Sequence, residues 1–459
     1  MWTLRSVALD RRNFLRSLAI IAASPALPQS GRANESPLGP LRRDPNGILD
    51  LPAGFSYQVV SRAGDRMSDG LLVPHAHDGM GAFAGADGRV ILVCNHELDP
   101  SNLNQSAFGP SPRHLPRDVF SKLYDAGKGL TPGAGGTTTT VYDPHSCVTE
   151  RQHLSLAGTE FNCAGGSTPW GTWLSCEECV EAPGKRWNTI REKPHGYVFE
   201  VPANAAGLVE PRPITAMGRF EHEAAAVHEA SGIVYMTEDK RQSLFYRYIP
   251  DSPGKLHDGG RLQALAVADR PSLATNNWSD KITMRIGEPL PTFWIDIDDV
   301  DSDNDDLRNR GASLGAAKFA RGEGLCAAGD EFFFACTIGG PARLGQVFAY
   351  QTSPSEGTEK EQEQPGELTL VAEAATHSLL RNADNVIMAP WGDLLVCEDT
   401  ASHCGIVGVR PNGSMYEVAD NAYSNSELAG TCFSPDGTIM FVNIQYPGMT
   451  LAITGPWPP

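Results

Sequence analysis

A short hydrophobic pattern recurs along the chain and predicts many of its strands. Each copy has a turn residue, usually glycine, then four or five β-favouring apolar residues, then polar residues where the strand leaves the core. The runs are too short and too β-rich for helices, so the sequence predicts an all-β fold. The six copies are GRVILVCNHE (88–97), GTWLSCEE (171–178), GIVYMTEDK (232–240), DEFFFACT (330–337), GDLLVCEDT (392–400) and GTIMFVNIQ (437–445).

This repetition predicts a six-bladed β-propeller with insertions between the blades. Five or seven blades and a pair of β-sandwiches are the alternatives. In a propeller the ends of the innermost strands converge on one mouth of the central channel. The residues expected there are Glu97, Glu178, Glu238, Glu398 and Asn443. Because crowded carboxylates repel one another, we expect cations among them.

The first 34 residues have the pattern of an export signal. DRRNFLR (10–16) is basic, LAIIAA (18–23) is apolar, and small or proline residues follow. The Arg11–Arg12 pair indicates the twin-arginine type, and the apolar stretch is too short to span a membrane stably. We therefore expect a twin-arginine signal peptide over 1–34, export by the twin-arginine machinery to the periplasm or the extracellular space, and a single β-propeller catalytic domain over 35–459.

Charge and cysteine content narrow the possible partners. The chain has 37 basic and 55 acidic residues and a formal net charge of −18. This balance argues against nucleic acid as a general partner and suits a protein that carries hard cations.

Ten cysteines in an exported chain permit disulfides, and a bridge between Cys176 and Cys179 is left open. We expect a monomer.

Two polar segments are predicted as loops. SPSEGTEKEQEQPGE (353–367) has no apolar period and is predicted to be a mobile surface loop. WIDIDDVDSDNDDLRNR (294–310) has D-x-D-x-D spacing but lacks the glycine and glutamate of an EF-hand. It is interpreted as a solvated acidic loop, with weak calcium binding as the alternative.

Several short motifs carry side chains suited to chemistry. Cys163 lies in a glycine-rich segment, and Glu177 and Glu178 end the next strand. A thiolate selects iron, zinc or copper, whereas carboxylates suit calcium or ferric iron. Arg321 precedes Glu323 by two residues, so both share one face of an extended strand. Such a pair can hold a metal with the carboxylate and a phosphate oxygen with the guanidinium.

Taken together and in this order, the motifs resemble those of the PhoX-type alkaline phosphatases, which are twin-arginine-exported β-propeller enzymes. The matching elements are DRRNFLR, NHE, NCAGGSTPWGTWLSCEE, GRFEHEAAAV, YMTED, FARGEGL and DNVIMAPWGDLLVCED. The resemblance implies a mixed cluster of ferric iron (Fe3+) and calcium (Ca2+) at the propeller mouth. It also implies hydrolysis of phosphate monoesters by a metal-bound oxygen nucleophile.

The resemblance assigns roles to particular residues. Cys163 is the implied thiolate ligand, with Cys176 as its competitor, and Asp384 is the acidic calcium ligand. Arg321 and Asn95 are the implied phosphate contacts. The glutamate ligands are Glu178, Glu223 and Glu323, and the wider set of predicted metal ligands adds Glu177, Glu238 and Glu398. The alternatives are a calcium-dependent lactonase or other ester hydrolase, and a non-catalytic binding propeller with structural metals.

Overall fold

The computed structural model describes residues 36–110, 112, 115–186, 189–279 and 282–459. The predicted signal peptide over 1–34 lies outside the described residues. The strands are β1 (Leu41–Arg42), β2 (Leu49–Pro52), β3 (Ser56–Arg62), β4 (His77–Ala84), β5 (Val90–His96), β6 (Gly135–Asp143), β7 (Val148–Thr159), β8 (Asn162–Ser167), β9 (Thr172–Glu177), β10 (Gly184–Arg186), β11 (Thr189–Arg191), β12 (Val198–Pro202), β13 (His222–Val227), β14 (Val234–Glu238), β15 (Phe245–Pro250), β16 (Gly260–Val267), β17 (Leu290–Asp296), β18 (Gly322–Ala328), β19 (Glu331–Cys336), β20 (Gln346–Gln351), β21 (Glu367–Glu373), β22 (Ala383–Met388), β23 (Leu394–Glu398), β24 (Gly405–Val409), β25 (Met415–Asn421), β26 (Leu428–Phe433), β27 (Met440–Ile444) and β28 (Met449–Thr454).

Helices are few and short in the described part of the chain. The α-helices are α1 (Arg117–Phe120) and α2 (Leu307–Leu314), and the 3-10 helices are Ala86–Gly88, Pro100–Gln105, Gly127–Gly129, Thr215–Met217, Leu256–Asp258 and Glu361–Glu363. In the ranges described above, none is a long apolar helix of the kind that crosses a membrane. The predicted all-β class is therefore confirmed.

The strands form antiparallel sheets arranged as in a propeller. Two are four-stranded, in the orders β4-β5-β6-β7 and β26-β27-β28-β3, so β3 from early in the chain completes a sheet begun near its end. A three-stranded sheet has the order β12-β9-β8, and a six-stranded sheet has the order β1-β2-β25-β24-β23-β22. The hairpin β10-β11 forms a separate two-stranded sheet.

The prediction of six separate blades is wrong, because the sheets form four blades and a nearly closed barrel. Strands β13 to β21 form one continuous nine-stranded sheet in the order β13-β14-β15-β16-β17-β21-β20-β19-β18. The link is β17, which pairs with β16 along its length and with β21 at Leu290↔Leu368 and Pro291↔Glu367. The periodic pattern identified individual strands but contained no information about this edge pairing, because β17 arises from an insertion.

The repeated hydrophobic runs are the second strands of their sheets and not the innermost ones. They correspond to β5, β9, β14, β19, β23 and β27. The strand before each of them lies on the axis, and β4, β8, β13, β18, β22 and β26 contact one another in sequence around a closed ring. Glycine permits this closeness, since a Cβ on Gly324 would lie 2.6 Å from Cα of Asn385. We call these six strands the inner ring.

Each inner-ring strand has a register shift just after its first residues. The shifts fall at His77/Met80, Asn162/Gly165, His222/Ala225, Gly322/Leu325, Ala383/Val386 and Ala429/Cys432. Such bulges bend a strand and redirect its side chains, often beside functional sites. They all lie at the same end of the ring, which we call the mouth.

The two polar segments are both tied to the body of the protein. Glu356 and Glu361 accept hydrogen bonds from the buried Arg247, so the segment predicted as a mobile loop is anchored. In the acidic segment, Asp301 accepts a hydrogen bond from Tyr197, and Asp306 pairs with Arg310. Its aspartates belong to none of the candidate ligand groups found among the described residues.

Candidate metal centre

Three groups of candidate ligands meet at the mouth. Within each group the ligand atoms lie within 4.8 Å of one another. The groups are Cys163, Glu178 and Glu223; Glu223, Glu323 and Asp384; and Asp78, Glu97 and Glu427. Because Glu223 belongs to two groups, its carboxylate lies where it could bridge two cations.

The candidate ligands come from three kinds of position, all at the mouth ends of strands. Inner-ring strands supply Asp78, Cys163, Glu223, Glu323 and Asp384, each at a bulge. The residues that follow the second strands supply Glu97 after β5 and Glu178 after β9, and Glu427 directly precedes β26. The inner ring thus brings together carboxylates that are far apart in sequence.

Burial and mutual repulsion disfavour ionisation of the acidic groups in this cluster. Burial and then the carboxylates of Glu323 and Asp384 raise the pKa of Glu223 well above its usual value. Burial, helped by Asp384, raises the pKa of Asp78 to about 7. Burial also raises the pKa of the Cys163 thiol, and the nearby Glu223 adds to the effect. These groups can all be ionised at neutral pH only if cations lie among them, and one soft thiolate with many hard carboxylates fits such cations.

Cys163 is held rigidly at the mouth, whereas Cys176 lies elsewhere. The Cys163 Sγ is 3.4 Å from the backbone oxygen of His222 and 3.7 Å from that of Glu223. Cys176 is fully buried in a hydrophobic cluster with Leu174 and Val198. Cys176 and Cys179 are both free thiols, so they form no disulfide.

Asn95 has a structural role that leaves its side-chain amide no free hydrogen-bond donor for phosphate. Its Nδ2 donates to the backbone oxygens of Cys163 at 3.1 Å and Ala164 at 2.7 Å. Its Oδ1 accepts from Trp173 Nε1 and Ser175 Oγ, both at 2.9 Å. A side-chain amide offers two donors and two acceptor sites, so all four are used. The prediction that Asn95 contacts phosphate is corrected, because this side chain instead positions the segment that carries Cys163.

Arg321 lies directly beside the second ligand group. Its Nη2 is 2.6 Å from Asp239 Oδ2 and 2.8 Å from Glu323 Oε1, and its Nε is 2.8 Å from Asp239 Oδ1. The side chain is 33% exposed, so the guanidinium reaches both the cluster and solvent. The backbone of Arg321 has φ of 59°, a strained conformation of the kind often kept at functional sites.

Three predicted ligands are directed away from the mouth. Glu177 accepts from His195, Gly196 and Tyr197. The other two are also satisfied within the protein: Glu238 by Leu244, Tyr246 and Arg308, and Glu398 by Arg381 and Gly405.

The reason is the two-residue period of a strand. Glu177, Glu238 and Glu398 are the last residues of their strands, whereas Glu97 and Glu178 come one position later, so the two sets face opposite ways. The predicted alignment had placed Glu238 and Glu398 at the same position as Glu97 and Glu178, and Glu177 had been predicted as a ligand beside Glu178. We correct it by removing Glu177, Glu238 and Glu398 from the candidate ligands.

Sequence reasoning missed Asp78, Glu427 and the Arg321 partner Asp239. A signal for Asp78 was present, because a small residue follows several inner-ring ligands, as in Asp78-Gly79, Cys163-Ala164 and Glu323-Gly324. These small residues let neighbouring ring strands approach closely just beyond the ligand. Glu427 carried no such signal.

The fold and the site together define a propeller-like protein whose mouth has a buried thiolate–carboxylate cluster beside an arginine. The family model of the alkaline phosphatase PhoX matches residues 36–448. The chain therefore belongs to the PhoX alkaline phosphatase family, and it is a phosphoric ester hydrolase. No curated protein matches the sequence.

Solved structures with a similar fold include Pseudomonas fluorescens PhoX in complex with vanadate, a transition state analogue. It is 17% identical, has a TM-score of 0.65, and the match covers 89% of this chain and 96% of that one. A gluconolactonase from Xanthomonas campestris matches at 12% identity and a TM-score of 0.41, over 92% of this chain and 99% of that one. At 17% identity the likeness to the Pseudomonas fluorescens structure concerns the fold alone.

Proposed function

We propose that this phosphatase hydrolyses phosphate monoesters at a mixed iron–calcium centre in the mouth of its inner ring. The observation that carries the proposal is Glu223, shared by two ligand groups, with Cys163 in one and Arg321 beside the other.

The donor sets suggest which cation each group would hold. Cys163, Glu178 and Glu223 would hold ferric iron, since a thiolate is a poor ligand for calcium. Glu323 would complete the iron ligands, Asp384 would contribute to calcium, and Asp78, Glu97 and Glu427 form an all-oxygen group that also suits calcium. When bound, these cations would supply positive charge for the phosphoryl oxygens and lower the pKa of a bound water.

Arg321 would hold the phosphoryl group during the reaction. Asp239 and Glu323 occupy its Nε and Nη2, and none of the described contacts uses Nη1. That nitrogen can donate to a phosphoryl oxygen and stabilise the charge that builds there in the transition state. The paired carboxylate of Asp239 fixes the plane of the guanidinium before substrate arrives.

The location of the enzyme is also proposed. The twin-arginine pattern in residues 1–34 supports export to the periplasm or the extracellular space, which suits a protein folded around its metals beforehand. An Arg11→Lys, Arg12→Lys double variant should retain the protein in the cytoplasm. Export at the normal level would count against a twin-arginine signal. The mature chain is proposed to act as a monomer.

The decisive experiment combines elemental analysis with an activity assay. Protein folded in the producing cell should contain iron and calcium, and it should hydrolyse p-nitrophenyl phosphate until a chelator removes the metals. Cys163→Ser should lose iron, whereas the control Cys176→Ser should keep it. Active wild-type protein with calcium and no iron would overturn the mixed centre and favour a calcium-only hydrolase.

A further inference from the structure

Two arginines and a tryptophan form a cluster near the mouth that the catalytic site does not use. The guanidinium carbons of Arg241 and Arg343 each lie 5.1 Å from the ring centroid of Trp278. Arg241 is in the β14–β15 turn, Trp278 is in the segment between β16 and β17, and Arg343 is in the β19–β20 turn. Because β14 and β19 both end at the mouth, their turns belong to the mouth face.

The indole ring is fixed in place before any ligand arrives. Trp278 Nε1 donates to the backbone oxygen of Ile338 at 2.6 Å. The preceding residue, Asn277, is buried and donates to Met284 O at 2.9 Å and to Glu373 Oε2 at 2.8 Å. A platform that is ordered beforehand loses little entropy when a ligand binds.

The two arginines differ from other cations on this face because they have no acidic partner among the described residues. Lys240 pairs with Glu221, and Arg321 pairs with Asp239. Arg241 and Arg343 are exposed, and neither forms an ion pair with a described carboxylate. A guanidinium stacked on a ring keeps its N–H edge free, and that edge matches the oxygens of a phosphate. Two such groups in a chain of net charge −18 indicate a site for an external anion.

The cluster lies close to the phosphate-binding arginine. The backbone nitrogen of Arg321 donates to the carbonyl oxygen of Lys240 at 3.0 Å, and Arg241 is the next residue. The two backbones are therefore hydrogen-bonded neighbours at this point. The backbone nitrogen of Ile338, whose oxygen holds Trp278, contacts Ala320 O at 3.4 Å. The segments that carry Arg241 and Trp278 are thus bonded to the segment of Arg321, so the cluster adjoins the proposed phosphate site.

We propose that Arg241, Trp278 and Arg343 form a subsite for a second phosphate group, carried by the leaving-group alcohol of the substrate. The proposal rests on the phosphatase function given above and names its substrate class: phosphate esters with another phosphate near the scissile one. Arg241 and Arg343 bind the distal phosphate, and Trp278 holds both guanidinium groups in position. The scissile phosphate remains at Arg321.

The test compares linear diol bisphosphates of increasing length with the monophosphates of the same diols. Wild-type protein should show a bisphosphate-to-monophosphate ratio of kcat/KM of about tenfold or more at the best spacer length, mainly through KM. In an Arg241→Gln, Arg343→Gln variant the ratio should fall to about twofold. This residual preference is expected because a bisphosphate has two equivalent phosphate groups that can be hydrolysed. A second series, in which a carboxylate replaces the distal phosphate, distinguishes a phosphate subsite from a general anion site. Equal kcat/KM for the carboxylate-terminated and phosphate-terminated substrates would overturn the assignment to phosphate.

The matched control is an Arg212→Gln, Arg261→Gln variant. It changes net charge equally but alters exposed arginines near the opposite end of the sheets, so it should keep the wild-type ratio. A ratio near two in wild-type protein at every length, or an unchanged ratio in the Arg241/Arg343 variant, would overturn the subsite while leaving the phosphatase intact. If wild-type protein hydrolyses no monophosphate, the proposed monoester hydrolysis fails, and the subsite fails with it.

Discussion

Two adjacent glutamates at the end of β9, Glu177 and Glu178, have the same side chain in two different environments. Glu177 accepts hydrogen bonds from the Glu160 backbone nitrogen at 3.0 Å, His195 Nδ1 at 2.7 Å and the Gly196 backbone nitrogen at 2.9 Å. Glu178 instead faces Glu223, and burial and that carboxylate raise its pKa well above the usual value. One glutamate is satisfied by protein donors, and the other is buried among carboxylates, which makes it a candidate metal ligand.

The same contrast holds around the inner ring. The outward-facing carboxylates of Glu238 and Glu398 have protein donors, as Glu177 does. The mouth-facing carboxylates are crowded against each other. A buried carboxylate whose partners are all donors is a structural element. A buried carboxylate crowded against other carboxylates is a metal-ligand candidate, even where it also accepts a hydrogen bond, as Asp78 and Glu97 do from Gln445. The following predictions test this contrast, from the largest expected effect to the smallest.

Glu223→Gln should cause the largest loss, because this carboxylate belongs to two ligand groups. We expect phosphatase activity to fall by about a thousandfold or more, with loss of bound metal, since several kcal/mol of charge stabilisation disappear. Elemental analysis and p-nitrophenyl phosphate turnover measure both effects. Glu398→Gln is the matched control and should keep metal and activity, because Glu398 belongs to none of the ligand groups found among the described residues. Equal losses in both variants would refute the contrast.

Arg321→Gln should lower turnover by about a hundredfold while the metals stay bound, because it removes the donor to the phosphoryl group but no ligand. Steady-state kinetics and elemental analysis of the same preparation provide the measurement. Arg308→Gln is the control, since Arg308 pairs with Asp305 and Glu238 and faces no ligand group. Unchanged turnover in Arg321→Gln would show that another residue holds the phosphate.

Asn95→Ala should reduce stability more than it affects substrate binding. The variant leaves the Trp173 and Ser175 donors and two backbone oxygens unpaired in the core, which costs about 2–4 kcal/mol of unfolding free energy. Urea unfolding measures the loss, and KM of the metal-loaded protein should be unchanged. Trp173→Phe, which removes one of these hydrogen bonds, should cost less. A KM increase of tenfold or more with normal stability would restore Asn95 as a phosphate contact.

The metal-free protein should lose stability as pH rises. The pKa of Asp78 is about 7 in the folded state, against an ordinary value of 3.8 for an aspartate, so the folded state binds more protons between these values. Unfolding free energy should therefore fall from about pH 4 to about pH 7, by up to ~1.4 kcal/mol per pH unit for this group. Thermal unfolding across this range measures the slope.

Asp78→Asn should flatten the pH slope of the metal-free protein. Restoring the metals should flatten it in the wild-type protein, because bound cations favour the ionised carboxylates. A slope that is the same with and without metals would show that the mouth carboxylates are not the groups responsible.

Much of the candidate site could be predicted because its residue types are chemically specific. Cys163, Glu178, Glu223, Glu323 and Asp384 were predicted as ligands, and the structure brings them together at the mouth. Arg321 was predicted beside Glu323, and the two side chains form an ion pair. Their metal binding remains a prediction. Asp78 and Glu427 were missed because neither stands in a motif that was recognised.

The amino-acid sequence alone determined where strands form and which segments carry reactive side chains, since alternation, turn residues and side-chain chemistry are local properties. Only the tertiary structure decided which carboxylates meet. A shift of one position along a strand moves a carboxylate from an interior hydrogen-bond network to the mouth, as Glu177 and Glu178 demonstrate. Three other features depend on contacts between distant segments, and no local pattern encodes them. They are the pairing of β17 with two neighbours, the closure of the inner ring and the use of all four hydrogen-bonding positions of Asn95.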